Sequence, residues 1–246
     1  MNDASELEYA YQLYRAAALK RIGDASDEMK RLVLGPAAGG PKPIHKSYDI
    51  HREGTFCMFC LSGAEDSLEQ WRGYGGESGV AIGFKSAELK KRAEAHKTTS
   101  YKLVRCVYPM KDELPPPLEE FLSNYLRDPN RDVAINSRIR LKRIAVEVKH
   151  WKFREEKEWR LVSDFVWPRD LDLRPSKARV VPFKRIQLVE RATQTQKLAH
   201  GWANVIQTVC VGPGRHKELT YDALRRNLDP EHITVVPSEI PYRDLY

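Results

Sequence analysis

Apolar positions recur at helical spacing from the start of the chain, where Leu7, Tyr11, Tyr14 and Ala18 mark a helix over 3–22 with Asp3 and Glu6 in its first turn. A second helix is expected over 26–34, stopped by Gly35. The glycine- and proline-rich run 35–43 must be a loop; only helices precede it, so it is not read as a domain boundary. Beyond it the period shortens. Strands are expected at 55–62, 79–84, 101–108, 154–163, near 178–183 and 185–190, at 206–211 and at 232–237. Helices are expected between them at 67–73 with Asp66 as cap, 86–95, 115–127, 132–150, after Gln194 and at 220–228. Uneven alternation of strands and helices predicts an α+β fold: a single domain, 1–246, with a mixed, mostly antiparallel sheet and flanking helices.

The stretch 154–162, Arg-Glu-Glu-Lys-Glu-Trp-Arg-Leu-Val, is the most informative. As a strand it alternates faces, with Glu156, Glu158 and Arg160 on one side and Lys157, Trp159 and Leu161 on the other. Trp159 and Leu161 are the expected core pair. The opposite face then carries two carboxylates beside a guanidinium, which keeps a carboxylate ionised. Such a Glu can accept a sugar hydroxyl or steady a developing cation. The plainer reading is a solvated Glu–Arg pair on an exposed face, which contributes little.

Composition narrows the classes. The 246 residues allow one large domain, and 41% hydrophobic content leaves room for a core. No apolar run approaches the ~20 residues of a membrane span. The N-terminus, Met-Asn-Asp-Ala-Ser-Glu, lacks the basic-then-apolar pattern of a signal peptide, so a cytoplasmic protein without membrane association is expected. The net charge of +7 permits an anionic partner such as nucleic acid or a phosphorylated cofactor.

Cys57 and Cys60 form a C-x-x-C inside the expected strand 55–62. Positions three apart on a strand face opposite sides, and no second pair follows, so these are expected to be buried free thiols. The histidines are scattered without metal spacing. Gly73-Tyr74-Gly75-Gly76 is glycine-dense but has neither common phosphate-loop pattern. Beside it, Trp71 and Tyr74 can stack on a flat ring and Arg72 can meet a phosphate; alternatively Trp71 packs in the core and Arg72 is solvated.

Three ordered motifs carry a resemblance. Cys57-x-x-Cys60-Leu61-Ser62 continues through Asp66-Ser67-Leu68, Gln70-Trp71-Arg72-x-Tyr74-Gly75 and Gly79-Val80-Ala81-Ile82-Gly83-Phe84. Glu156-x-Glu158-Trp159-Arg160-Leu161 follows, and Gly212-Pro213 with Pro237-Ser238-x-Ile240-Pro241-Tyr242-Arg243 closes the chain. Together they resemble a bacterial family catalogued as domain of unknown function 2971. That family's opening is in turn similar to the first motif of ADP-ribosyltransferases, so a distant relationship to those enzymes is implied at the level of fold. Laid on this chain, the resemblance gives Glu158 the role of gripping the nicotinamide ribose and Glu156 that of orienting the acceptor. Ser62, or more loosely Tyr74, stands for the middle motif. Trp71, Arg72, Tyr74 and Arg160 complete the expected cofactor contacts, with no metal.

The function expected from the resemblance is ADP-ribosyl transfer from NAD, as co-substrate, to a protein or nucleic-acid acceptor, in a toxin or phage-defence setting. The alternative is a non-catalytic module that binds an anionic ligand or nucleic acid. A third reading, a metal-dependent nuclease or phosphodiesterase built on Glu156 and Glu158, lacks a clustered Asp or His partner. Met1-Asn2-Asp3-x-x-Glu6 aligns with an internal Leu-Asn-Asp-x-x-Glu of the family, so the chain is expected to be truncated by one N-terminal strand. A bare sheet edge or open groove near the Glu158 strand and weak NAD binding are expected to follow. Strands 55–62 and 79–84 are expected in the same sheet as 154–162, with Glu158 facing Trp71 or Tyr74.

Overall fold

The computed structural model describes residues 4–35, 54–96, 99–111, 113–128, 134–176, 180–188, 204–228 and 233–241. In chain order come α1 (Ala4–Ile22), α2 (Asp27–Leu34), β1 (Met58–Ser62) and a helical turn Leu68–Gln70 that runs into a π turn, Trp71–Gly75. Next are β2 (Val80–Phe84), α3 (Ser86–Glu94), β3 (Tyr101–Arg105), α4 (Pro116–Arg127) and α5 (Ala134–Ala145). The 3-10 helix Trp151–Glu156 leads into β4 (Glu158–Ser163), followed by β5 (Asp172–Pro175) and β6 (Val180–Phe183). The last elements are β7 (Ile206–Val211), α6 (Lys217–Asn227) and β8 (Thr234–Pro237). The class is α+β, with mixed and mostly antiparallel pairing.

Two compact units divide the chain, Met1–Leu61 with Val104–Lys184, and Ser62–Leu103 with Arg185–Tyr246. In the first, α1 and α2 meet α4 and α5 around Tyr14, Val33, Leu118, Leu122, Leu141 and Val148, all fully buried. Leu118, Phe121, Leu122 and Tyr125 recur at helical spacing on α4, which explains why that face is the buried one. Each such side chain contributes roughly 1.5–3 kcal/mol by leaving water. A smaller core of Phe56, Val146 and Val162, joined by Leu7, Met58, Val104, Ile139 and Phe165, lies under a sheet of order β1-β4-β3. β4 is therefore the middle strand. The β5–β6 pair is antiparallel, Asp172 opposite Phe183.

The second unit holds a sheet of order β2-β7-β8. β2 runs antiparallel to β7, Val80 opposite Val211, with a bulge between Gly83 and Phe84. β7 and β8 are parallel and joined through α6, whose Leu224 packs with Leu228 on Val209 and Ile233.

Several expectations are corrected. Strand 79–84 forms, but its backbone pairs with β7, so it is not in the sheet of β4. Residues 154–157 are not strand: the 3-10 helix extends to Glu156 and Lys157 takes a left-handed φ of 46° before β4 begins. The helix expected over 132–150 closes at Ala145, where the 146–150 segment turns to form a parallel bridge between Val148 and Val107. Residues 185–188 carry no strand, and β5 was not legible in the sequence. The expected helix after Gln194 and the loop from residue 36 lie outside the described residues.

Candidate functional site

The first unit gathers a charged cluster around β4. The Val107–Val148 bridge fixes the chain after α5, with the Lys149 N–H donating to the Val107 carbonyl at 2.9 Å. Val148 enters the helical core, while Lys149 turns its ammonium to Glu158. Lys149 Nζ donates to Glu158 Oε2 at 2.6 Å and to Glu156 Oε2 at 2.6 Å, and lies 3.5 Å from Glu6 Oε1. Arg160 Nε donates to Glu158 Oε1 at 2.7 Å. Its Nη2 reaches Glu6 Oε2 on α1 at 2.7 Å and Glu158 Oε2 at 3.2 Å, and its Nη1 reaches the Val146 carbonyl at 2.6 Å. The Glu158 N–H donates to the Tyr108 hydroxyl oxygen at 2.7 Å.

Glu158 and Arg160 are 5% and 2% exposed, whereas Trp159 is 36% exposed. The expected core pair holds in part: Leu161 is fully buried as expected, but Trp159 is the open position of the strand and Glu158 and Arg160 are buried instead of solvated. Charges are tolerated there because each is paired and hydrogen-bonded. Glu156 joins Glu158 by another route than strand alternation. The left-handed turn at Lys157 lets both carboxylates meet one ammonium.

Burial alone would raise the Glu158 carboxyl, but hydrogen bonds from Arg160, Cys60 and Lys149 and the Arg160 charge outweigh it and hold the group at about 2. Conversely, local desolvation of the sulfur, although the residue as a whole is exposed, and the adjacent Glu158 push the Cys60 thiol up to about 11. Burial pushes Cys106 up to about 12. All four cysteines are free thiols; Cys106 and Cys210 are buried, Cys57 is half-buried and Cys60 is exposed. The last two correct the expectation of a buried pair, since Cys60 sits on β1, an outer strand of the sheet, and Cys57 just before it. Both thiols, with pKa values pushed up, are protonated and poorly nucleophilic at neutral pH.

An aromatic group flanks the cluster. Phe153, 49% exposed, lies under Lys149 Nζ at 5.2 Å from its ring centre. Trp151 carries Lys152 Nζ and Arg154 Cζ, each 5.9 Å from its ring, and His150 stacks on it at 5.9 Å. Lys149, Glu6, Tyr108 and Phe153 were missed by sequence reasoning. Glu6 and Arg160 are 154 positions apart in the chain, and only the fold joins them.

The remaining expected residues belong to the second unit. Trp71 is buried, its Nε1 donates to Asp66 Oδ1 at 2.5 Å, and its ring packs where a Cβ on Gly212 or Gly75 would fall within 2.8–2.9 Å. Trp71 therefore follows the core alternative and offers no face for stacking. Asp66 does not cap the following helix as expected. It also accepts from Ser238 Oγ at 2.8 Å and from the Glu239 N–H at 2.8 Å, joining the first and last motifs. Arg72 is exposed and Tyr74 is 80% exposed. Ser62 ends β1 where the units divide, and its Oγ accepts from the Ala64 N–H at 3.0 Å.

Asp66→Ala should strip three donors of their acceptor and cost about 1–3 kcal/mol per donor left buried. Urea titration followed by indole fluorescence measures it. A loss below about 0.5 kcal/mol, the range of a neutral surface change, would show that Asp66 is not the tie.

Among the described residues no helix is long and apolar enough to cross a membrane. Among the same residues, no His, Cys, Asp and Glu are grouped to hold a metal ion. Residues 70–161 match the family model described as protein of unknown function (DUF2971). The match takes in Trp71, Tyr74, Lys149, Glu156, Glu158 and Arg160 and supports the resemblance over that segment. No curated protein and no solved structure matches the chain.

Proposed function

We propose that the chain is an ADP-ribosyltransferase-like enzyme that uses NAD and passes ADP-ribose to a protein or nucleic-acid acceptor, in a toxin or defence role. The observation that carries this reading is the charge of the cluster. Three carboxylates, Glu6, Glu156 and Glu158, face two cations, Lys149 and Arg160. Within this set the carboxylates outnumber the cations by one, and Glu158 stays ionised. Breaking the bond between ribose C1′ and nicotinamide leaves its electrons on nicotinamide and positive charge on the ribose. A fixed anion beside that charge lowers the barrier. Glu156, at 22% side-chain exposure, is the more accessible carboxylate and is assigned to the acceptor.

Residues of the same unit fit NAD. Phe153 offers an exposed ring for nicotinamide, and Lys152 and Arg154 offer cations for the diphosphate. They take the roles expected above for Trp71, Tyr74 and Arg72. NAD supplies the ADP-ribosyl group and its leaving group.

The burial of Glu158 and Arg160 favours a second reading, a non-catalytic module in which the cluster fastens α1 to β4 and Lys152 and Arg154 hold an anionic ligand. Nicotinamide release from NAD, measured by chromatography with and without cell extract, separates the two. Under the enzyme reading Glu158→Gln should lower release about 10²–10³-fold. Glu156→Gln should keep NAD cleavage by water but lose the mass gain on acceptors. A wild-type chain that releases no nicotinamide in either condition sinks the enzyme and leaves the module.

A further inference from the structure

In the second unit the sheet β2-β7-β8 ends at β2, and the hydrogen bonds show which groups of that strand face the open side. The Gly212 N–H donates to the Gly79 carbonyl at 3.0 Å, one step outside the pairing of Val80 with Val211. Bonded and unbonded pairs alternate along an antiparallel ladder. Gly79, Ala81 and Gly83 therefore bond β7, and Val80 and Ile82 turn their N–H and C=O groups outward. Val211 agrees, since its carbonyl accepts from the Ser238 N–H at 2.8 Å, on the side away from β2. Among the described residues no strand lies on the outer side of β2. Side chains tell the same story. Val80 is 43% exposed and Ile82 48% exposed. Both share a face with Val209, which packs with Ile233, Leu224 and Leu228, but they are left half open.

Such an edge is ordinarily blunted by proline or lysine, because free N–H and C=O groups pair with another extended chain. The β5–β6 ribbon has Pro175 and Pro182. β2, Val-Ala-Ile-Gly-Phe, has neither residue, and its Val and Ile favour strand pairing. The edge is complementary to itself. Run antiparallel about a two-fold at Ala81, Val80 of one copy meets Ile82 of the other, and Ile82 meets Val80. These are the residues with outward backbone groups, so each meeting is a bonded pair. Their half-open side chains then stand directly opposite, as branched apolar pairs. Charge selects the same register. Glu77 and Lys85 are the charged residues of 77–85, one at each end. Antiparallel copies bring each Glu77 towards Lys85 of the other copy, whereas parallel copies would bring like charges together.

We infer that the free edge of β2 docks β2 of a second copy of this chain, joining two three-stranded sheets across an antiparallel seam centred on Ala81. Five residues of strand per copy fall short of the roughly 1,200 Å² of total surface at which stable interfaces begin, so the dimer is a weak one that forms with rising concentration. The inference stands apart from the NAD reading, because it uses the second unit alone and needs no activity of Glu158.

The test is sedimentation velocity of the full chain over a rising concentration series, in which monomer should pass to dimer. Val80→Lys and Ile82→Glu should each weaken the dimer about tenfold or more, since a charge then faces an apolar side chain across the seam. An equimolar mixture of the two variants should dimerise again, because the register sets the new lysine against the new glutamate. Both positions are half open, so folding should persist, and circular dichroism verifies it. A second readout needs no variant. In the wild-type chain, amide exchange at Val80 and Ile82, followed by NMR, should slow as concentration rises, while Ala81, already bonded to β7, stays unchanged. A wild-type chain that remains monomeric overturns the proposal. So does a dimer that both variants leave intact, or a mixture no tighter than either variant alone. Val80 and Ile82 amides already protected in the monomer would overturn it too, since another segment of the same chain would then hold the edge.

Discussion

Arg160→Met is expected to destabilise the chain by about 3–5 kcal/mol, the usual cost of removing one partner of a buried ion pair. The reason is geometric. Arg160 is 2% exposed, and its guanidinium serves Glu158, Glu6 and the Val146 carbonyl at once. Methionine fills the space but leaves two carboxylates and a carbonyl short of a donor. The loss is a large share of a typical total of 5–15 kcal/mol, so the midpoint in urea should fall well below that of wild type. Arg160→Lys separates charge from shape. A single ammonium cannot span three acceptors in a fixed fork, so the variant should recover only part of the loss. Equal stability of the Met variant and wild type would show that the cluster is dispensable for folding, and would remove the fastening role from the binding-module reading.

This arrangement explains what the sequence could and could not disclose. The period of two around Glu158 was legible, and it correctly grouped Glu158 with Arg160 and Trp159 with Leu161. That Glu158 and Arg160 would be buried and Trp159 left open was not. Trp goes inside and Glu and Arg go outside in most strands, because an unpaired buried charge is costly. Here Lys149 and Glu6 cancel that cost, and neither is near β4 in the sequence sense that periodicity detects. Leu161 is buried although it shares a side with the exposed Trp159, so side and exposure are different properties even along one strand. Glu156 was placed correctly beside Glu158 for a reason the sequence did not contain, the left-handed Lys157. On α1 and α4, by contrast, burial follows helical spacing directly, since a helix needs only its own apolar stripe to define its inner face. The same contrast separates β2 from β1. Both were legible as strands, but pairing with β7 rather than β4 depends on partners far along the chain.

Acid should unfold the wild-type chain over a window that Glu158→Gln does not share. The folded Glu158 carboxyl titrates at about 2, against an ordinary value of 4.5. As pH falls, the unfolded chain therefore takes up this proton first, and protonation favours unfolding. The stabilisation from the depressed value is complete above about 4.5 and drains away between there and about 2. That difference is worth on the order of 3 kcal/mol. Lys149, Arg160 and Cys60 are the groups that hold the carboxylate ionised, and Glu6 and Glu156 share its cations. Gln carries no proton to titrate, so the variant begins less stable at neutral pH and loses less on acidification. Asp66 and Glu119 are also depressed, but they titrate alike in both chains and cancel in the comparison. Urea melts taken from pH 7 down towards pH 2.5 should show the two stability curves converging in the acid range. Curves that stay parallel over that window would mean that Glu158 is not held ionised by its neighbours, and the fixed anion on which the NAD chemistry depends would go with it.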